Sequence, residues 1–233
     1  MATRIKFLGH ACFQITTPGD KVVIIDPWIE GNPLASLKVA DIKKANLVLV
    51  THDHFDHSAN AVDVAKNTGA TVIAQPETIT KFVSELGLPQ EQALYGMGMN
   101  IGGSVQVQGI TVTMTEAFHS SATASCSGYI LKLEDGTVLY HAGDTGIFEG
   151  MRLLGELYKI DLAMLPIGSV FVMDPFQAAK ALTLLKPKTV IPMHYKTFPI
   201  LEQDANSFVE LAKKETPGVK VVVLEPGEEF SLG

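Results

Sequence analysis

The sequence predicts an α/β fold: two similar sheets packed face to face, with helices outside. Two observations carry it. Short β-rich runs alternate along the chain with segments of helical pattern. A weak repeat also joins the two halves. The runs at 21–26, 46–50 and 71–74 each end in polar residues, and 137–141, 161–165 and 189–192 recur in that order about 115 residues later. Both halves read β–loop–β–helix–β, which implies two sheet layers around a shared core. No Ser/Gly-rich linker interrupts the chain, so residues 1–233 are expected to form one domain, with halves of about 1–115 and 116–233.

Strands are expected at 4–8, 13–17, 22–26, 47–51 and 71–74. Seven more follow at 105–108, 110–115, 128–133, 137–141, 162–165, 189–193 and 219–224. Pro18-Gly19-Asp20, Gly102-Gly103 and Asp135-Gly136 supply turn chemistry between them. The segment 59–67 reads as a helix with Ser58 as N-cap and Gly69 past its end, and 77–86 as a helix stopped by Gly87. Segment 149–159 places Leu153, Leu154 and Leu157 on one side. For 175–185 the signals are Asp174 as N-cap, Pro175 at the first helical position and Pro187 beyond the end. The last helix, 202–214, buries Phe208, Leu211 and Ala212 and stops before Pro217-Gly218. Residues 31–44 have the least pattern and read as a loop or short helix.

Composition excludes several classes of function. Eighteen Lys+Arg against 25 Asp+Glu give a net charge of −7, which argues against nucleic acid as a partner. With 46% apolar residues the chain is too apolar to be disordered. The longest apolar runs fall far short of the ~20 residues that span a bilayer, so no membrane association is expected. Two cysteines, Cys12 and Cys126, make no disulfide framework; a reduced, cytoplasmic setting follows, with both as small buried residues. Charged residues are 18%, against about 25% in typical soluble proteins. This reads either as a full core or as surface given to a homo-oligomer interface.

The chemistry concentrates at one segment. Thr51-His52-Asp53-His54-Phe55-Asp56-His57 follows the apolar run 47–50 directly. Polar residues at the C-terminal end of a strand lie where α/β sheets place their sites. Imidazole and carboxylate suit zinc, iron or manganese, whereas calcium takes more oxygen ligands. In an extended segment His52 and His54 point the same way and can share one ion. Asp56 and His57 fall where the chain turns into a helix, so they reach a second position. Three further runs end in metal-competent residues: Phe118-His119-Ser120, His141-Ala142-Gly143-Asp144-Thr145 and Met193-His194-Tyr195. A lone histidine at a strand end is usually structural. Together these segments supply about three ligands for each of two ions plus a bridge.

The ordered set His-x-His-x-Asp-His, Ala-Phe-His-Ser-Ser, His-Ala-Gly-Asp-Thr-Gly and Pro-Met-His-Tyr resembles the metallo-β-lactamase superfamily. The resemblance is closest to a short, poorly characterised branch of metal-dependent hydrolases related to sugar-phosphate lactonases. The branch features are Leu8-Gly9-His10-Ala11-Cys12-Phe13, Asp26-Pro27, Gly31-Asn32-Pro33 and Met99-Asn100-Ile101-Gly102-Gly103. It runs from about residue 5 to 199. It implies a four-layer αββα sandwich with its site at one edge. It also implies two divalent transition-metal ions, zinc foremost, with manganese, iron or nickel as alternatives. Carried over by position, His52, His54 and His119 would hold the first ion, Asp56, His57 and His194 the second, and Asp144 would bridge. Redox-active diiron members typically carry Glu where this chain has His54, which favours hydrolysis. The branch's Thr-Met-Gly-Pro reads Val172-Met173-Asp174-Pro175 here, so Asp174 either adds a carboxylate near the pocket or only caps its helix.

The resemblance implies a binuclear hydrolase acting through a metal-bridging hydroxide on a small, anionic or neutral ester, lactone or phosphodiester. An RNA-processing-type nuclease and a metal-binding module without turnover are the alternatives. Asp56 and His10 are the expected catalytic groups beyond metal binding. Asp56 would orient the nucleophile, and His10, near the site by resemblance, would bind an oxyanion, protonate a leaving group, or serve only as a structural histidine. Asp26, Thr51, Asp53, Ser120, His141 and Thr145 are expected to support the ligands.

Overall fold

A computed structural model describes residues 2–232. The first sheet is built from β1 (Thr3–Gly9), β2 (Cys12–Thr16), β3 (Val22–Ile25), β4 (Leu47–Leu49) and β5 (Thr71–Ile73). The second takes β6 (Ser104–Val107), β7 (Ile110–Glu116), β8 (Ser127–Lys132), β9 (Val138–His141), β10 (Leu162–Pro166), β11 (Thr189–Met193) and β12 (Lys220–Val221). The final strand, β13 (Glu229–Leu232), returns to the first sheet and pairs antiparallel with β1. The orders are β13-β1-β2-β3-β4-β5 and β12-β11-β10-β9-β8-β7-β6. The two strand triplets that echo each other in sequence, β3-β4-β5 and β9-β10-β11, are both parallel ribbons. Their C-terminal ends carry the polar residues that close each run.

Apolar side chains of both sheets meet in one layer. Ile5, Phe13, Leu47 and Leu49 from the first pack with Met114, Tyr129, Leu131 and Met164 from the second. The outer face of the first sheet is covered by α2 (Ala61–Thr68) and α3 (Pro76–Ser84) through Val64, Ala65, Ile79 and Phe82. The outer face of the second is covered by α4 (Gly150–Leu157), α5 (Pro175–Leu185) and α6 (Asn206–Glu215) through Met151, Leu182, Leu185 and Phe208. Buried on both faces, the central strands are continuous apolar runs, as β3 (Val-Val-Ile-Ile) shows. The result is the four-layer αββα sandwich the motifs imply. No helix of the described residues is long and apolar enough to cross a membrane.

Several expectations are corrected. The helix expected at 59–67 is α2, two residues later at its start, and a short α1 (Phe55–Ser58), with His54 as N-cap, precedes it. Ser58 does not cap; its hydroxyl donates back to the His54 carbonyl. The helix expected at 202–214 begins only at Asn206. Glu202 is taken by the neighbouring loop, donating its N–H to the Gly168 carbonyl and accepting from the Ser169 hydroxyl. The strand expected at 219–224 pairs over two residues only, and β13 had no expectation at all. Asp174 caps its helix, α5: its carboxylate accepts the Gln177 N–H at 2.7 Å.

Candidate metal centre

The site residues sit on loops at one end of the sandwich, just past strand ends. β1 leads to His10, β3 to Asp26, β4 to the His52–His57 segment, β7 to His119, β9 to Asp144 and β11 to His194. Three of these positions are strained. His10 (φ 60°), Asp26 (φ 47°) and His194 (φ 57°) adopt left-handed backbone that non-glycine residues seldom take. The His194 N–H donates to the His10 carbonyl at 2.8 Å, so two of the strained turns lock together across the sheets. Such strain persists only where surrounding structure enforces it, and it clusters at functional sites. Gly143 (φ 61°) is needed before Asp144, because a Cβ there would run into the Ser127 carbonyl.

The side chains form two groups whose donor atoms lie within 4.8 Å of one another. One is His52, His54 and His119; the other is His10, Asp56, His57 and His194. His52, His57 and Asp144 form a third such set that joins them. Asp144 faces both groups. One carboxylate oxygen is 3.3 Å from His57 Nε2; the other is 3.0 Å from His194 Nε2 and 3.5 Å from His119 Nε2. All seven residues expected to hold metal therefore converge, and His10 joins them.

Behind the groups runs a hydrogen-bond frame. Asp26, fully buried, accepts from the Thr51 N–H (2.8 Å), the Thr51 hydroxyl (2.7 Å) and His57 Nδ1 (2.8 Å). The Thr51 hydroxyl, its proton given to Asp26, accepts from His52 Nδ1 at 3.0 Å. One carboxylate thus fixes two imidazoles with Nε2 pointing inward, the arrangement typical behind metal-binding histidines. Asp53 points the other way, as strand alternation requires. It accepts from Ser121 and from the Ala122 N–H (both 2.8 Å) and from Lys81 (3.0 Å), which ties down the loop after His119. The Thr145 hydroxyl accepts the Phe118 N–H at 3.0 Å on the other side of that loop. His141 takes no place among the donors. It donates to the Ala11 carbonyl (2.9 Å) and accepts the Gly143 N–H (3.2 Å), holding the backbone before Asp144. Thr197, missed by sequence reading, fixes His10. Its hydroxyl donates to the Tyr195 carbonyl (3.1 Å), so His10 Nδ1 donates to it (2.8 Å) and Nε2 carries the lone pair.

The electrostatics follow. Burial, reinforced by His194, pushes the pKa of His10 down to about 4, and burial with His57 pushes His52 down to about 3. Burial also lowers His119. These imidazoles are neutral at pH 7, the state a metal ligand needs. His57 is the exception: burial opposes its charge, but Asp144 and Asp26 on either side outweigh burial and hold its pKa well above the usual value. Asp144 is buried too, yet His194 and His57 hold it well below the carboxylate range.

The donor set fits divalent transition metal. His10 Nε2, His57 Nε2, Asp144 Oδ1 and His194 Nδ1 are buried without hydrogen-bond partners. The lone pair of His10 Nε2 faces Asp56 Oδ2 at 3.3 Å, an approach two acceptors make only around a cation or proton. His54 Nδ1 stands 3.0 Å from His52 Nε2 and 3.3 Å from His119 Nε2, three ring nitrogens directed at one point. Nitrogen-rich donors with few carboxylates suit zinc and its neighbours rather than calcium or magnesium.

A cavity of about 600 Å³ opens beside the groups, lined by His54, Asp56, His119, Ser120, Asp144 and His194 on its floor. Phe55, Phe171, Phe198 and Ile200 form its walls. Sequence reading missed these four. Phe55 lies inside the histidine motif, but nothing in the pattern distinguishes a wall from a core residue.

Comparison with known proteins agrees with this geometry. The profile of the beta-lactamase superfamily domain matches residues 21–195. A UPF0173 metal-dependent hydrolase of Nitratidesulfovibrio vulgaris (strain DP4) is 49% identical over 232 residues, covering 100% of this chain and 96% of its own. One from Pyrobaculum islandicum is 46% identical over 232 residues, covering 98% and 100%. Among solved structures, Igni18, described as a novel metallo hydrolase from Ignicoccus hospitalis, superposes with TM-score 0.90 at 36% identity, covering 100% of this chain and 99% of that one. The metallo-beta-lactamase fold protein YhfI of Bacillus subtilis shares the fold, with TM-score 0.75 at 13% identity over the full length of both chains.

Proposed function

Since the chain belongs to the metallo-β-lactamase superfamily, and within it to the UPF0173 metal-dependent hydrolases, we propose that it is a binuclear metal-dependent hydrolase of a small ester, lactone or phosphodiester. One observation carries the binuclear reading: Asp144 reaches both donor groups, His119 on one side and His57 and His194 on the other. His52, His54 and His119 would hold one ion, Asp56, His57 and His194 the other, with Asp144 between. Such ions would supply a water-derived nucleophile at neutral pH and Lewis acidity toward a carbonyl or phosphoryl oxygen.

The chain's own residues have distinct tasks. Asp26 and Thr51 keep the His52 and His57 rings aimed and in one tautomer. Asp56, held below the usual carboxylate range by His57 against its own burial, can accept a hydrogen bond from a nucleophile through its spare oxygen. His10 cannot donate in its neutral tautomer, since its one N–H goes to Thr197. In that tautomer it adds a donor atom to the group of Asp56, His57 and His194, and a leaving-group acid or oxyanion role would need a proton on Nε2. Ser120, on the cavity floor, is the uncharged polar group available to orient substrate.

The test is metal content alongside turnover. Gently purified protein should carry close to two transition-metal ions per chain. It should hydrolyse at least one of bis-p-nitrophenyl phosphate, simple lactones or p-nitrophenyl esters with added zinc or manganese. A chain with full metal content and no turnover on any of these would be a binding module instead.

A further inference from the structure

Resting on that hydrolase reading, we infer that the substrate is a carboxylic ester or lactone bearing an apolar acyl or aryl group, bound by the aromatic walls of the cavity, and not a phosphorylated or polyanionic molecule.

The walls are built features. Phe198 stacks on Trp28 with ring centroids 5.6 Å apart and planes at 15°, and Phe55 meets Trp28 edge-on at 5.5 Å and Phe198 at 6.4 Å. This trio rises directly beside His10, whose ring lies 5.1 Å from Trp28 and 5.7 Å from Phe198. Phe55, Phe171 and Ile200 are 62%, 53% and 59% exposed, so three large apolar side chains gather at one opening instead of entering a core. Scattered exposed apolar residues need no explanation; a contiguous set at the mouth of a polar site marks ligand contact.

The loop that presents Phe171 is strained. Ser169 (φ 62°) and Val170 (φ 52°) are consecutive left-handed residues, and a β-branched residue there is a genuine outlier. The Ser169 hydroxyl anchors to Glu202 at 2.9 Å. The strain contributes nothing to a core, since Val170 is 63% exposed, so it serves the display of Phe171 beside the cavity.

Charge points the same way. No lysine or arginine lines the cavity among the described residues. Lys196, two positions after His194, pairs with Glu225 at 3.1 Å, and Lys81 pairs with Asp53. The two carboxylates of the lining, Asp56 and Asp144, are already assigned to the metals and leave no charged group free to bind the rest of a substrate. A site for a phosphorylated substrate would carry Arg or Lys forks away from the metals. Here the group beyond the scissile bond meets aromatic and aliphatic carbon.

The experiment uses the metal-loaded protein and straight-chain carboxylates from acetate to octanoate as product probes, with phenyl phosphate and glucose 6-phosphate beside them. Binding is measured by calorimetry and by the fluorescence of Trp28, the only tryptophan. Affinity should rise up to about fourfold per added methylene, and octanoate should bind at least about tenfold tighter than either phosphate. In Phe171→Ser and Ile200→Ser, both at exposed positions, the gain from acetate to octanoate should shrink about tenfold or more with metal content unchanged. Affinity independent of chain length, or a preference for the phosphates, overturns the inference. So does a flat series with a changed molecular mass in Phe171→Ser, which would assign the rim to self-association. p-Nitrophenyl esters separate the two readings. Chain-length-dependent binding without turnover of any ester, lactone or phosphodiester would leave the apolar site standing and remove the hydrolase. Ester turnover indifferent to acyl length would do the reverse.

Discussion

His54 and His119 are half-buried and face the cavity, whereas His10 and His57 are fully buried and His194 reaches the cavity with almost no exposed surface. The residue types are similar, but the support differs. The outer pair depends on the Asp53 latch and the Thr145 contact, both to loop backbone. The inner set is held by buried side-chain bonds from Asp26 and Thr197, by the Asp144 carboxylate and by strained turns locked together at His10 and His194. An outer position open to solvent suits substrate entry and metal exchange; an inner one suits a retained ion.

The sharpest way to break this contrast is to remove what the groups share. Asp144→Asn should leave fewer than one ion per chain and lower any ester hydrolysis by more than about 100-fold, read by metal analysis and steady-state rates. Two single changes then tell the groups apart. His54→Ala should retain close to one ion per chain, in the inner set. His57→Ala should lose both, because its Nε2 faces Asp144 and its Nδ1 anchors on Asp26. Equal losses in the two variants would erase the distinction.

Asp26→Asn should weaken zinc binding by about 10–100-fold without removing any ligand. Calorimetry checks this, with circular dichroism to confirm the fold. Stripping metal with a chelator should lower stability against urea by about 2–3 kcal/mol for each ion removed, relative to protein at free metal about 100 times Kd, since the ions bind only the folded chain. The smallest effect concerns Cys12 and Cys126. Burial pushes both thiols up, so at pH 8 less thiolate forms than in a free cysteine. Thiol reagents should label neither in native protein and both in urea.

Much of the centre was legible. The segments that bear the candidate donors stand out because each follows an apolar run; the resemblance supplied the set of seven, and the alternation that aims His52 and His54 together also turns Asp53 away. Asp26 could be suspected from its place at the end of a neighbouring strand. Thr197 could not, because nothing local in Tyr195-Lys196-Thr197 signals that its hydroxyl ends beneath His10, 187 positions earlier. The walls were invisible for a related reason. Phe171 and Ile200 look like core residues in a one-dimensional pattern, and only packing shows that no core receives them. Helix starts failed where a side chain was claimed from afar, as with Glu202.

The sequence by itself determined the αββα class, the end of the sheets at which chemistry gathers, and the donor types for transition metal. Those follow from short-range rules: strand alternation, runs bounded by turns, and histidines in a tight motif. Tertiary structure decided which donors share a neighbour, that His10 Nδ1 is engaged by Thr197, and that the cavity beyond the donors is aromatic and uncharged by lysine or arginine. Each of these depends on contacts between residues far apart in the chain, whose distances are fixed only when the two sheets close on one another.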